Sequence, residues 1–281
     1  MSEPPPGDPP PLPPASGPAI PPAPGSEQHL PLPPRPRRPR PATWTLPDIA
    51  LVSAVTALSL GLAALLSARY PDDIPGEVGR TFPLVLITLI IQASLMLAGM
   101  LIVGRVWRRH PWAVFGLRPT RWWWLVVAAP LAALIILPIR LAIGLIVQLL
   151  IDPSLRIASA MQDTLFPDVS LAGGLLLILA GGLIIPFVEE LFFRGMVFGW
   201  LRQRMGLWAA ALLSGLVFGL AHFYPPTTVS AFMLGVVLAL IYEHSGSLWP
   251  AVAIHAVNNT LIFVLTFVVM ALSRLLGLPL T

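Results

Sequence analysis

Seven long apolar stretches, separated by short polar loops, set the limits on what this chain can become. They run approximately from Pro47 to Leu66, Phe82 to Val103, Trp122 to Leu150, Leu171 to Trp200, Leu207 to Phe223, Thr227 to Tyr242 and Leu248 to Leu272. A helix needs about 20 such residues to cross the hydrocarbon core of a bilayer. In lipid each backbone donor and acceptor must be satisfied within its own segment, which selects helices. The expected fold is all-α, a polytopic membrane bundle of about seven transmembrane helices. Composition agrees: 56% of the 281 residues are hydrophobic and 11% charged, with a mean hydropathy of +0.80. Such values do not fit a large soluble core.

Residues 1–43 read differently. They are dense in proline and end in the run Arg35-Pro36-Arg37-Arg38-Pro39-Arg40-Pro41. With few donors and little apolar bulk to bury, they are expected to form a disordered, partly polyproline II arm ahead of a transmembrane domain over 44–281. The arm reads as a basic tail, with a proline-reading partner as the alternative. It lacks the apolar core and small-residue cleavage site of a secretory signal. A net charge of +4 without a clustered basic stripe speaks against nucleic acid as a partner. The absence of cysteine excludes disulfides, thiolate zinc sites and a cysteine nucleophile.

Arginines alternate with acids from loop to loop. Arg35, Arg37, Arg38 and Arg40 precede the first stretch; Arg105, Arg108, Arg109, Arg118 and Arg121 follow the second; Arg202 and Arg204 follow the fourth. Asp72, Asp73, Glu77, Asp152, Asp163 and Asp168 occupy the alternate loops. The positive-inside rule then places the N-terminus in the cytoplasm of a protein expected in the cell membrane. Trp122, Trp123 and Trp124 read as an interfacial belt. Pro130, Pro138 and Arg140 make the third stretch a candidate for a kink or a split.

Polar residues inside these stretches carry the functional signal. Glu189, Glu190 and Arg194 interrupt the fourth, His222 closes the fifth, and His255 and Asn259 lie one helical turn apart in the seventh. An ionisable group at membrane depth costs at least about 2.5–3.5 kcal/mol on insertion scales. Glu190 and Arg194 are i and i+4 and share a face, whereas Glu189 points about 100° away. One carboxylate is thus structural and its neighbour available for chemistry. A carboxylate with an imidazole can hold a water and take its proton. A second imidazole and a side-chain amide can donate to a developing oxyanion. Together these groups make a hydrolase for amide or ester carbonyls.

Other intramembrane hydrolases fit less well. No His-Glu-x-x-His occurs, Leu212 replaces the first glycine of a rhomboid-type motif at Ser214-Gly215, and no pair of aspartates lies within the stretches. Glu189-Glu190-x-x-x-Arg194, Phe218-x-x-x-His222 and His255-x-x-x-Asn259, in that order, resemble the CPBP family (CAAX protease and bacteriocin-processing, or Abi). Phe192-Phe193-Arg194-Gly195, Phe115-Gly116-Leu117-Arg118 and Gly246-Ser247-Leu248-Trp249-Pro250 extend the likeness, which covers about residues 110–270.

The resemblance implies an intramembrane endopeptidase acting on a membrane-associated or lipidated peptide. By it Glu189 activates water with His222, His255 and Asn259 form the oxyanion hole, and Glu190 and Arg194 support the site. No cofactor is expected, although a zinc ion on Glu189, Glu190, His222 and His255 is the alternative. Two further readings compete: a non-catalytic scaffold or immunity-type protein of the same fold, and a proton-coupled transporter using the carboxylates as a relay.

Depth poses one difficulty. At about 1.5 Å per residue, Glu189 lies roughly 27 Å from Leu171 at one membrane face, and His222 roughly 22 Å from Leu207 at the other. In a core about 30 Å thick those depths do not meet. The expected resolution is a fourth helix that runs on toward Arg204.

Overall fold

A computed structural model describes residues 44–69, 81–151, 170–222 and 225–276. The expectation for the proline-rich arm and the acid-bearing loops falls outside these residues. Within them the chain is all-helical: α1 (Leu46–Arg69), α2 (81–107), α3 (122–151), α4 (171–202), α5 (Leu207–Leu220), α6 (Pro225–Ser245) and α7 (Leu248–Leu276). Each apolar stretch of the sequence became one helix. Among the described residues five helices are long and apolar enough to cross a membrane; Leu46–Ser59 and Leu207–Leu220 are apolar helical segments below that length.

α4 is the central element. Half of its Ala172–Arg202 window is buried inside the bundle, against 17% for the corresponding window of α3. Ser170 starts the helix by accepting a hydrogen bond from the Gly173 amide, an ordinary N-cap. Two wide-turn, π-helical stretches interrupt it, at Ile178–Ile184 and Leu191–Phe198. Pro186, just after the first, has no amide proton for the regular ladder. The helix reaches Arg202 without a break, as the depth mismatch required. The 31-residue window would be about 46 Å long as a regular α-helix, so α4 tilts or projects beyond the lipid.

α5 resolves the rest of the mismatch. Its 14 residues span about 21 Å, short of a hydrocarbon core about 30 Å thick. The helix therefore stops within the membrane and leaves His222 there, in the turn after Leu220. α5 packs closely on α6 because Gly215, Gly219 and Gly235 let the backbones approach, the small-residue packing common in membranes. A Cβ at Gly235 would stand 2.9 Å from Gly215 Cα.

α3 is one helix, with Pro138 inside it and wide turns at Trp124–Ala128, rather than a span plus a surface helix. Neighbouring helices satisfy freed backbone groups, which lets membrane helices keep an internal proline. Trp123 and Trp124 stack at 4.3 Å between ring centroids near its start.

The arginine-bearing ends of the helices meet at one face of the bundle. Asp48 at the start of α1 pairs with Arg108 beyond α2 at 2.9 Å, and Arg202 pairs with Glu243 at 3.2 Å. Trp44 donates its indole N–H to Gly195 O at 2.9 Å. The Phe115-Gly116-Leu117-Arg118 and Gly246-Ser247-Leu248 segments, far apart in the chain, touch here directly: Leu248 N–H donates to Gly116 O at 2.8 Å, and Ser247 Oγ donates to Arg118 O at 2.7 Å, 129 positions away. Gly116 has φ +82°, and a side chain there would strike the Tyr242 ring. Those motif words hold the entrance of α7 in place.

Candidate active site

The site forms where α4, α5 and α7 cross near the middle of the bundle. α4 brings Glu189 and Glu190 just before its second wide-turn stretch. Glu190 and Arg194 are both fully buried and pair at 2.8 Å, Arg194 Nη1 donating to Glu190 Oε1. Arg194 Nη2 donates to Gly235 O at 3.1 Å. The close α5–α6 packing thus places a carbonyl where the guanidinium needs an acceptor. Further hydrogen bonds help a buried charge pair to be tolerated; here Gly235 O serves one donor, while Arg194 Nε and Glu190 Oε2 are buried without a hydrogen-bond partner.

Glu189 is turned elsewhere, as the 100° rotation requires. Its side chain keeps 23% exposure, and Oε2 lies 3.6 Å from His255 Nε2. His255 is 1% exposed, and its Nδ1 meets Glu190 Oε1 at 2.8 Å. The imidazole therefore bridges the two carboxylates, one at each ring nitrogen. Beside the Arg194 guanidinium Glu190 serves as an acceptor, so Nδ1 carries a proton.

His222 completes the group from α5. Nδ1 lies 2.8 Å from Phe218 O; a carbonyl only accepts, so Nδ1 donates and Nε2 is left with its lone pair. The Glu189 charge acts on His222, as does the neighbouring His255. Phe218 is the hub beneath them. It is fully buried, with His222 at 4.8 Å and His255 at 5.5 Å between ring centroids and the Arg194 guanidinium 4.5 Å above its ring. An aromatic face favours a cation and its edge favours other rings.

Asn259 lies one turn beyond His255, half-buried, and donates to Gly181 O at 3.4 Å. Asn258 is the fully buried amide of the pair, and it accepts from Arg140 Nη1 of α3. Glu189, Glu190, Arg194, His222 and His255 are brought together; Asn259 stands against the first wide turn of α4.

Sequence reasoning gave no role to Phe218, to Asn258 or to Arg140. The signals were present: a charge in the middle of an apolar span for Arg140, and helical spacing from His255 and His222 for the other two.

Residues 171–261, from the start of α4 through Asn259, match the family model described as type II CAAX prenyl endopeptidase Rce1-like. Over this segment the chain is similar to a CPBP-type family. The matched segment holds each residue of the three sequence motifs. A curated protein of Bacillus subtilis (strain 168), named "Putative membrane peptidase YdiL", is 26% identical over 90 residues, which is 32% of this chain and 37% of that protein. The match thus spans little more than a third of the curated relative. No solved structure matches. Both likenesses point to a family of CAAX-protease-like intramembrane peptidases.

Proposed function

We propose that this chain is an intramembrane endopeptidase in which Glu189 removes a proton from water and the resulting nucleophile attacks a peptide carbonyl. The observation that carries the reading is the division of labour between adjacent carboxylates: Glu190 is buried and shared by Arg194 and His255, whereas Glu189 stays partly exposed beside His255 Nε2. His222 holds the water with Glu189, its Nε2 lone pair serving as acceptor. The water oxygen bonds to the carbonyl carbon, its proton goes to Glu189, and the carbonyl electron pair moves onto oxygen. His255 and Asn259 donate to that oxyanion. His255 Nε2 does so in the form of the ring that carries both protons, its Nδ1–H being held by Glu190. The oxyanion electron pair then reforms the carbonyl, the C–N bond breaks with its electron pair going to nitrogen, and Glu189 returns the proton to that leaving amine.

The proposed substrate is a membrane-associated or lipidated peptide reached within the bilayer, with the N-terminus of the enzyme in the cytoplasm and the protein in the cell membrane. The chemistry is proposed to be metal-free. Glu190 Oε1 already accepts from Arg194 and His255, which engages that oxygen of the alternative ligand set Glu189, Glu190, His222 and His255. Among the described residues no three His, Cys, Asp or Glu groups gather to hold a metal ion.

The test is cleavage of membrane-anchored reporter peptides by the purified full chain in lipid. Turnover in the wild type that disappears in a stably folded Glu189→Gln supports the reading; equal turnover in both contradicts it.

A further inference from the structure

Arg140 is a charged residue that the reaction proposed above leaves without a role. It lies inside an apolar span of α3, half-buried. Its Nη1 donates to Asn258 Oδ1 across to α7, and its Nε is buried without a protein partner. Among the described residues it makes no ion pair. A charged residue at this depth faces the bundle interior or a wet cavity and marks a functional position. Asn258 is three positions from His255 and so on a neighbouring part of the same helical face. Holding Asn258 therefore keeps the guanidinium against α7, within about one turn of His255. Its charge and that of Glu189 act on each other, and it acts on His222 too.

We propose that Arg140 supplies the positive charge that balances the oxyanion. This rests on the Glu189 reading and adds a role for a residue outside the three motifs. Before reaction, Glu189 carries the negative charge that faces Arg140. When water gives its proton to Glu189, that carboxylate becomes neutral. The electron pair displaced from the carbonyl by the attacking oxygen places one negative charge on the carbonyl oxygen. No net charge is created: the negative charge moves from Glu189 to the substrate, and Arg140 loses one counter-ion as it gains the other. Meeting the new charge costs little reorganisation, because Asn258 already holds the guanidinium. Arg194 by contrast is fully buried and already paired with Glu190, with Gly235 O on its second terminal nitrogen.

The experiment separates charge from scaffolding. Arg140→Lys, Arg140→Gln and Asn258→Ala are prepared in the full chain, with turnover of a reporter peptide measured per folded molecule. Binding is measured for two uncleaved peptides: one with an anionic phosphinate at the scissile position, which mimics the tetrahedral intermediate, and one with a neutral alkene there. Arg140→Gln is expected to lose about 10²-fold in kcat with KM nearly unchanged, and its phosphinate affinity should fall in step while alkene affinity holds. Arg140→Lys should keep most of both, and Asn258→Ala should be intermediate. Phosphinate binding unchanged in Arg140→Gln, or a Lys variant no better than Gln, overturns the proposal while leaving Glu189 as the base. A wild type without turnover instead removes the peptidase reading itself, and this role with it.

Discussion

His255 and Glu190, 65 positions apart in the chain, share a 2.8 Å hydrogen bond in which the imidazole Nδ1 faces the carboxylate that Arg194 also holds. That bond fixes the ring so that Nε2 faces Glu189. Glu190 is thus a supporting group for both the α4 backbone region and the imidazole of α7. Glu190→Gln keeps an acceptor for His255 but leaves the buried Arg194 without its counter-charge. Breaking a buried pair from one side costs about 3–5 kcal/mol. The expected result is a marked drop in thermal stability, with activity lost mainly in proportion to the folded fraction. Unfolding curves and turnover per folded molecule, recorded side by side, check it.

Asn259→Ala removes a donor proposed to reach the oxyanion. Turnover should fall by about 10²–10³ with little change in KM. The ground-state contact that is lost, to Gly181 O at 3.4 Å, is long and partly exposed, so stability should change little. A rise in KM with kcat preserved would assign Asn259 to substrate binding.

The bundle and one half of the site were legible because their determinants are local. Apolar length specified the helices, and i, i+4 spacing specified the Glu190–Arg194 pair. Chain arithmetic on Glu189 and His222 even required α4 to run on, which it does to Arg202. Pairs set by packing between helices were not legible. His255 with Glu190, Arg140 with Asn258 and Trp44 with Gly195 depend on which faces meet. A single sequence records that a helix has a polar face but not which neighbour covers it. The wide turns of α4 were hidden for a related reason: they change the hydrogen-bond register without changing which residues are apolar.

Gly235→Ala tests whether close α5–α6 packing positions His222. The added Cβ would lie 2.9 Å from Gly215 Cα, and overpacking of this kind costs about 1–3 kcal/mol. Both thermal stability and turnover per folded molecule should drop, since α5 carries His222 and Gly235 O receives Arg194. Gly61→Ala is the control: no atom lies within 4 Å of its added Cβ, and helix propensity predicts a neutral or slightly stabilising change.

Metal dependence has a direct readout. Purified protein is expected to carry no stoichiometric zinc and to keep its turnover after dialysis against a chelator. Loss of cleavage that only added zinc restores would return Glu189, His222 and His255 to a ligand role.

The most direct test is the turnover of Glu189→Gln, measured per folded molecule in lipid with thermal stability recorded alongside. The substitution keeps the size and hydrogen-bonding capacity of the side chain beside His255 Nε2 and removes its capacity as a base. Turnover should fall by about 10²-fold or more at wild-type stability. Full activity in a stably folded Glu189→Gln would contradict the mechanism and leave a non-catalytic scaffold as the better reading of the fold.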